Sequence, residues 1–341
     1  MGLFNFFTQE IAIDLGTANT LIIHNDTIVV NEPSIIALNR NNPKEVLAVG
    51  KRALLMHGKT HESIRTVRPL KDGVIADFNA AELMIREMIK MIHPKKPWFP
   101  PSWRMMICIP SSITEVEKRA VRDSAEQAGA KEVYLIYEPM AAALGIGIDL
   151  EEPVGNMIID IGGGTTGVTV IALAGIICDE SIRVAGDEFT DDIMEALRRY
   201  HSLLIGERSA EQIKIGVGAA MKDLENPPDD MAVNGRDLVT GLPKQIIVSF
   251  QEIAEALDKS IFKIEEAILK ALEKTPPEIA GDIYRNGMYL TGGGALLRGL
   301  DKRLSQKIRL PVHVADDPLK SVVRGTGIAL KNYRRYPFIM R

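Results

Sequence analysis

Asp14 and Asp160 each close a short apolar run and open a glycine-rich turn, in Ile11-Ala-Ile-Asp14-Leu-Gly-Thr-Ala-Asn-Thr20 and in Met157-Ile-Ile-Asp160-Ile-Gly-Gly-Gly-Thr-Thr166. Glycines in such turns permit positive φ and close approach, so that successive backbone N–H groups can face an anion. Thr17, Ala18 and Asn19 in one turn, and Gly163, Gly164 and Thr165 in the other, are placed to cradle phosphate oxygens. A carboxylate touching phosphate directly would be repelled. Asp14 and Asp160 therefore make chemical sense as outer ligands of Mg2+, an ion that retains several waters. One such hairpin alone is equally a tight β-turn; two, each after an apolar strand, point to a metal-nucleotide ligand. Neither is a Walker A loop, and GxGxxG is absent, which removes the P-loop and dinucleotide-binding classes.

A third glycine-rich turn, Tyr289-Leu-Thr-Gly-Gly-Gly-Ala-Leu-Leu297, follows an apolar strand and opens a helical pattern. Gly293, Gly294, Ala295 and Leu296 offer little bulk against a flat ring, which suits adenine and ribose; helix packing would also call for glycine here. In Ala210-Glu-Gln-Ile-Lys214, Glu211 and Lys214 share a helix face, either gripping ribose hydroxyls or forming a surface ion pair. Glu138 precedes Pro139 at a helix start. It can orient or deprotonate a water that attacks a γ-phosphate, or serve as a helix-capping carboxylate.

Short β-rich runs alternate with longer helical patterns, as in Glu10 to His24, Ala80 to Ile92, Arg104 to Ile109 and Thr114 to Ala128. That alternation predicts an α/β fold. The two aspartate hairpins lie about half a chain apart, which predicts a duplicated unit and two similar domains facing across a cleft. The Pro, Gly and Asp cluster from Gly145 to Gly155 is a crossing point between them. With 341 residues, 46% of them hydrophobic and 25% charged, the chain has ample material for a core, and disorder is not expected. A net charge of −4 with dispersed Lys and Arg gives no cationic face for nucleic acid. Cys108 and Cys178 have neither CxxC nor Cys/His spacing, so both read as small buried hydrophobes in a reducing compartment. No run approaches the roughly 18 apolar residues of a membrane span, and Met1 to Glu10 lacks the features of a signal peptide, so a cytoplasmic location is expected.

The strings IDLGTANT, NEPS, RPLKDGVIADF, YEPMAAALGIG, DIGGGTT, GLP, TPPEIAGDI, YLTGGGALLRGLD and RGTG together resemble the MreB family, the bacterial rod-shape actins, over essentially the whole chain. The resemblance implies an α/β fold of two ribonuclease-H-like, actin-like ATPase domains flanking a nucleotide cleft, each with a small inserted subdomain. The implied bounds are 1–149 plus 317–341 for domain I, with a small subdomain at about 33–72, and 150–316 for domain II, with one at about 185–245. It assigns Thr17, Ala18, Asn19, Gly163, Gly164 and Thr165 to phosphates, and Glu211, Gln212, Ile213, Lys214 and Gly293 to Leu296 to adenosine. Asp14 and Asp160 fall to Mg2+ through water, and Glu138 to the hydrolytic water. The implied function is an ATP-binding, slowly hydrolysing filament protein that organises cell-wall synthesis and maintains rod shape. Its implied partners are itself, in paired filaments, and, in place of nucleic acid, inner-membrane lipids and the elongation proteins RodZ, MreC, MreD and RodA. One position departs from the family pattern: an acidic residue usually follows the Gly-Gly-Gly-Thr-Thr string, where this chain has Gly167. Either hydrolysis is weakened or the substitution is neutral.

Met1-Gly-Leu-Phe-Asn-Phe-Phe7 carries Leu3, Phe4, Phe6 and Phe7, and Lys95-Lys-Pro-Trp-Phe-Pro-Pro-Ser-Trp103 carries Trp98, Phe99 and Trp103 beside two lysines. This composition suits a peripheral anchor on the inner face of the cytoplasmic membrane. Lys331 to Arg341 reads as a solvated terminus. Two other classes share the hairpins. A sugar kinase would need a base beside an enclosed sugar pocket, and a chaperone ATPase would need a peptide-binding segment after Gly325-Thr-Gly327, where this sequence has little left.

Overall fold

The structure, a computed structural model, describes residues 8–92 and 102–341. The chain divides into two compact units, Met1–Pro153 with Leu173–Gly175 and Leu319–Arg341, and Val154–Ala172 with Ile176–Pro318.

The first unit opens with an antiparallel meander, β1 (Thr8–Leu15), β2 (Asn19–His24) and β3 (Thr27–Pro33). A small sheet follows, built from β4 (Ile36–Asn39), β5 (Val46–Val49) and β6 (Ile64–Val67), with α1 (Lys51–Met56) between the last two. The hairpin of β7 (Leu70–Lys71) and β8 (Val74–Ile75) turns through Asp72 and Gly73, both at positive φ as a tight two-residue Asp-Gly turn demands. Next come α2 (Phe78–Ile92), β9 (Ser102–Ile109), α3 (Glu115–Gln127), β10 (Ala130–Tyr137) and α4 (Glu138–Gly145). The main sheet has the order β10-β9-β1-β2-β3, with β1, β9 and β10 parallel. Parallel strands are covered on both faces, and Ile11, Ala12 and Ile13 of β1 are accordingly all buried.

The second unit repeats the plan. Its strands β11 (Asn156–Ile161), β12 (Thr166–Ala172) and β13 (Gly175–Ile182) are followed by α5 (Gly186–His201), β14 (Leu203–Leu204), α6 (Glu207–Val217), β15 (Met231–Asp237) and β16 (Pro243–Val248). Then come α7 (Phe250–Lys274), α8 (Pro277–Asn286), β17 (Met288–Thr291), a single 3-10 turn (Gly293–Leu296), α9 (Leu300–Ile308) and β18 (Val312–Val314). The main sheet runs β13-β12-β11-β17-β18, with β11, β17 and β18 parallel, and β14, β15 and β16 form a small sheet of their own. Each unit thus places three consecutive strands beside two parallel ones, so the duplication extends from motif to topology.

The last helix, α10 (Ser321–Lys331), returns to the first unit and packs on α4. A Cβ on Gly145 would collide with Ser321 O, and one on Gly325 with Ala141 O. The strings AAALG and RGTG are therefore two faces of one close helix crossing, which holds the C-terminal half of α4.

Two expectations fail here. Trp103 lies in β9 and is only 5% exposed, edge-on to His24 at 5.7 Å between centroids. Its large apolar surface is used in the core of the sheet, so it is no part of a membrane patch. The segment after α10 is docked, not a loose solvated end: Leu135 and Met340 exchange backbone hydrogen bonds at 2.8 and 3.0 Å, and Tyr333 packs on Tyr134 beneath the Arg104 guanidinium. The exposed edge of β10 supplied unpaired backbone groups, and the tail satisfies them.

Candidate functional site

Ligands in open α/β sheets bind at the carboxyl ends of the parallel strands. In the first unit that end carries Asp14 on β1, Cys108 on β9 and Glu138 just past β10. Asp14 and Cys108 are cross-strand partners, and the Cys108 thiol donates to Asp14 Oδ1 at 3.1 Å. Asp14 keeps partial exposure as a residue, but burial of its carboxyl raises it to about 6, and the thiol bond offsets only part of that. Burial likewise pushes the Cys108 thiol well above its usual range, and the charges of Asp14 and then Glu138 add to it. Cys108 is therefore a neutral donor wedged near two carboxylates. From its spacing alone Cys108 reads only as a buried hydrophobe.

The turn after Asp14 is braced from two directions. Ser34 donates through its hydroxyl to Gly16 O at 2.6 Å and through its N–H to Ala18 O at 2.9 Å. Gly73, at the tip of the β7–β8 hairpin, donates its N–H to the Thr17 hydroxyl at 3.1 Å. The NEPS and RPLKDG strings thereby acquire a physical role that sequence reasoning missed: they hold the turn. Thr17 is 8% exposed, Ala18 intermediate and Asn19 exposed. Neither Gly16 nor Gly162 adopts positive φ, contrary to expectation. Glycine is needed at 16 because a Cβ there would lie 2.7 Å from Asn19 O.

Glu138 is the first residue of α4, after Tyr137, whose side chain makes no capping bond. The Glu138 carboxylate stands in the first helical turn, where the helix dipole favours it.

In the second unit the turn after Asp160 closes with Gly162 N–H donating to Thr165 O at 3.0 Å. The first residues of α5 brace it: Gly186 N–H donates to Gly162 O at 3.1 Å and Asp187 N–H to Gly163 O at 2.7 Å. Lys214 of α6 reaches the same place, donating to Gly186 O at 2.6 Å and to the Thr190 hydroxyl at 3.0 Å, with Glu211 at 2.6 Å. Its side chain is 15% exposed and that of Glu211 is 47% exposed, so the pair is sheltered on the lysine side and open to solvent on the glutamate side. Gln212 is exposed and Ile213 is 1% exposed within the core. An apolar side chain on the inward face of an amphipathic helix cannot meet a ligand, so Ile213 is corrected to a core residue. Among the adenosine-turn residues, Ala295 is buried and Leu296 is 56% exposed. A Cβ on Gly294 would overlap the Ile161 side chain, and one on Gly292, at φ 80°, would overlap Asp160 Oδ1. The packing requirement is thus present, and Gly292, which the sequence did not single out, lets the turn close over Asp160.

Asp160 pairs laterally with Thr291 on β17 and across the hairpin with Gly167 on β12. A Cβ on Gly167 would meet open space, so an acidic side chain is sterically admissible beside Asp160.

Among the described residues no group of three or more His, Cys, Asp or Glu side chains is gathered as a metal cage. Single aspartates at strand ends, Asp14 and Asp160, are donors of the kind magnesium uses when it keeps most of its shell as phosphate and water. Leu3, Phe4, Phe6, Phe7, Trp98 and Phe99 lie outside the described residues. No described helix is long and apolar enough to cross a membrane.

The family model of the MreB/Mbl protein matches residues 8–337. The cell shape-determining protein Mbl of Bacillus subtilis (strain 168) is 46% identical over 332 residues, covering 97% of this chain and 98% of Mbl. The cell shape-determining protein MreB of Escherichia coli (strain K12) is 47% identical over 329 residues, covering 95% and 94%. Among solved structures, MreB5 of Spiroplasma citri bound to AMPPNP superposes with a TM-score of 0.90 at 40% identity, over 96% of this chain and 97% of that one. A MamK double helical filament, at 22% identity, matches with a TM-score of 0.78 over 97% of this chain and 100% of MamK, which concerns the fold alone. The match along the whole chain, the duplicated actin-like topology and the paired aspartate turns agree: the chain belongs to the MreB/Mbl family of actin-like, cell shape-determining proteins.

Proposed function

We propose that this chain binds magnesium ATP through the Asp14 turn of one unit and the Asp160 turn of the other, hydrolyses it slowly, and assembles into filaments on the inner face of the cytoplasmic membrane. There it organises cell-wall synthesis and maintains rod shape. The observation that carries the nucleotide reading is the repeated arrangement of an aspartate at the carboxyl end of a parallel strand followed by a braced turn.

In this mechanism Thr17, Ala18, Asn19, Gly163, Gly164 and Thr165 bind the phosphates, and Asp14 and Asp160 orient the metal's water shell. Magnesium, where bound, neutralises phosphate charge during transfer. Glu138 orients the attacking water and accepts its proton. Glu211 and Lys214 with Gly293 to Leu296 hold adenosine. Gly167 leaves Asp160 without a second carboxylate and accounts for slow turnover.

Membrane attachment falls to Leu3, Phe4, Phe6, Phe7, Trp98 and Phe99. Support comes from register: Thr8 and Ser102, which begin β1 and β9, are cross-strand partners, so the chain enters both strands at the same end of the sheet. Head-to-tail contact between identical subunits gives open polymers when the rotation does not close. The test is sedimentation and negative-stain microscopy with ATP on anionic lipid vesicles. Wild-type protein is expected to form lipid-bound paired filaments, and Trp98→Ser with Phe99→Ser to form filaments that leave the lipid. Absence of ATP-dependent polymer would refute the filament reading.

A further inference from the structure

Cys108 is 2% exposed and is not solely a packing residue. Its thiol proton is donated to Asp14 Oδ1 at 3.1 Å. Cys108 is the in-register neighbour of Asp14, on β9 beside β1. The contact therefore joins in-register neighbours on two parallel strands, and strand pairing sets it without a ligand. The corresponding neighbour in the second unit, Thr291, gives its hydroxyl to Pro318 O at 3.2 Å. The device therefore belongs to the first unit's aspartate.

We propose that Cys108 is a positioning residue for magnesium nucleotide: its thiol holds Asp14 through Oδ1, so that Oδ2 is presented to the water shell of the metal. This rests on the proposed nucleotide function. A thiol is a weak donor but a carboxylate is a strong acceptor, and pre-orienting that carboxylate removes rotamer freedom that metal binding would otherwise have to restrict.

Two measurements test it. In Cys178→Ala protein, where Cys108 is the only thiol, the infrared S–H stretching band is expected at the lowered frequency of a hydrogen-bonded thiol and should rise in Asp14→Ala. Magnesium titrations with a fluorescent ATP analogue should show the half-saturating metal concentration raised about three- to tenfold in Cys108→Ala. Cys108→Ser, whose hydroxyl can donate in the same place, should stay within about twofold of wild type on the same reasoning. A band indifferent to Asp14, an unchanged magnesium requirement in Cys108→Ala, or equal impairment in Cys108→Ser and Cys108→Ala would each overturn the proposal. Wild-type protein that takes up no nucleotide at any magnesium concentration would overturn the nucleotide function and the positioning role together. The infrared band would still report the contact itself, which tells the two failures apart.

Discussion

At the carboxyl end of the first unit's sheet, Asp14 has a buried thiol at its side and Glu138 one strand further along. At the same place in the second unit, Asp160 has Thr291, whose hydroxyl faces Pro318, and a turn braced by the start of α5 and by Lys214. The backbone plan is shared, down to the order and direction of the parallel strands. What differs is the residue that each plan sets beside the aspartate. Duplication here preserved the frame, and under the proposed function both ends meet metal and phosphate, while the neighbours add the water chemistry of Glu138 at the first and adenosine binding at the second.

The largest test of that division is Glu138→Gln. The carboxamide keeps the shape and loses the base, so phosphate release should fall by about 10² to 10⁴ while nucleotide affinity stays near wild type. Equal loss of affinity and rate would show that the first end binds more than it reacts.

Asp14 gives the next test, through its raised carboxyl. The folded protein holds a proton between about pH 3.8 and 6 that the unfolded chain has released. Stability from this group is therefore fully present below 3.8 and is lost as pH rises through about 6. Ionised Asp14 then costs the ligand-free protein up to about 3 kcal/mol at pH 7. Asp14→Asn should be more stable than wild type in denaturant melts at pH 7, with the advantage gone by pH 4. Magnesium competes with that proton, so wild-type metal affinity should weaken about tenfold per pH unit below 6. A pH-independent difference between the two proteins would contradict the buried-carboxyl account.

Lys214→Ala addresses the other end. Removing its bonds to Gly186 and Thr190 should loosen the second turn and weaken nucleotide binding about tenfold, with turnover per bound nucleotide kept. Loss of turnover alone, read in single-turnover kinetics, would place chemistry where binding is expected. The smallest effect belongs to Gly167→Glu, which adds a carboxylate across from Asp160 in open space. Phosphate release should rise by roughly two- to fivefold through a better-held water shell. A rate equal to wild type would make Gly167 neutral.

Much of this was legible in sequence. Asp14, Asp160 and the glycine turns announced themselves because strand, turn and strand are contiguous in the chain, and the α/β alternation followed from periodicity. Cys108 did not, because its meaning lies in the register of two parallel strands whose residues are 94 positions apart. Ser34 and Gly73 stood in strings that could be quoted but not explained until the turn they brace was in place. Trp103 misled because composition places an aromatic near a membrane without saying which way a strand directs it. The tail misled because basic and aromatic residues look solvated until the edge of β10 is seen to need a partner.

The central proposal is that both aspartate turns serve one magnesium nucleotide. Isothermal titration of folded protein with ATP, with and without magnesium, tests it most directly on wild type, Asp14→Asn and Asp160→Asn. The account predicts one ATP per chain for wild type, tightened by magnesium, and a loss of the magnesium contribution in either variant. No heat of binding in wild type, or magnesium-dependent binding unchanged in both variants, would contradict it.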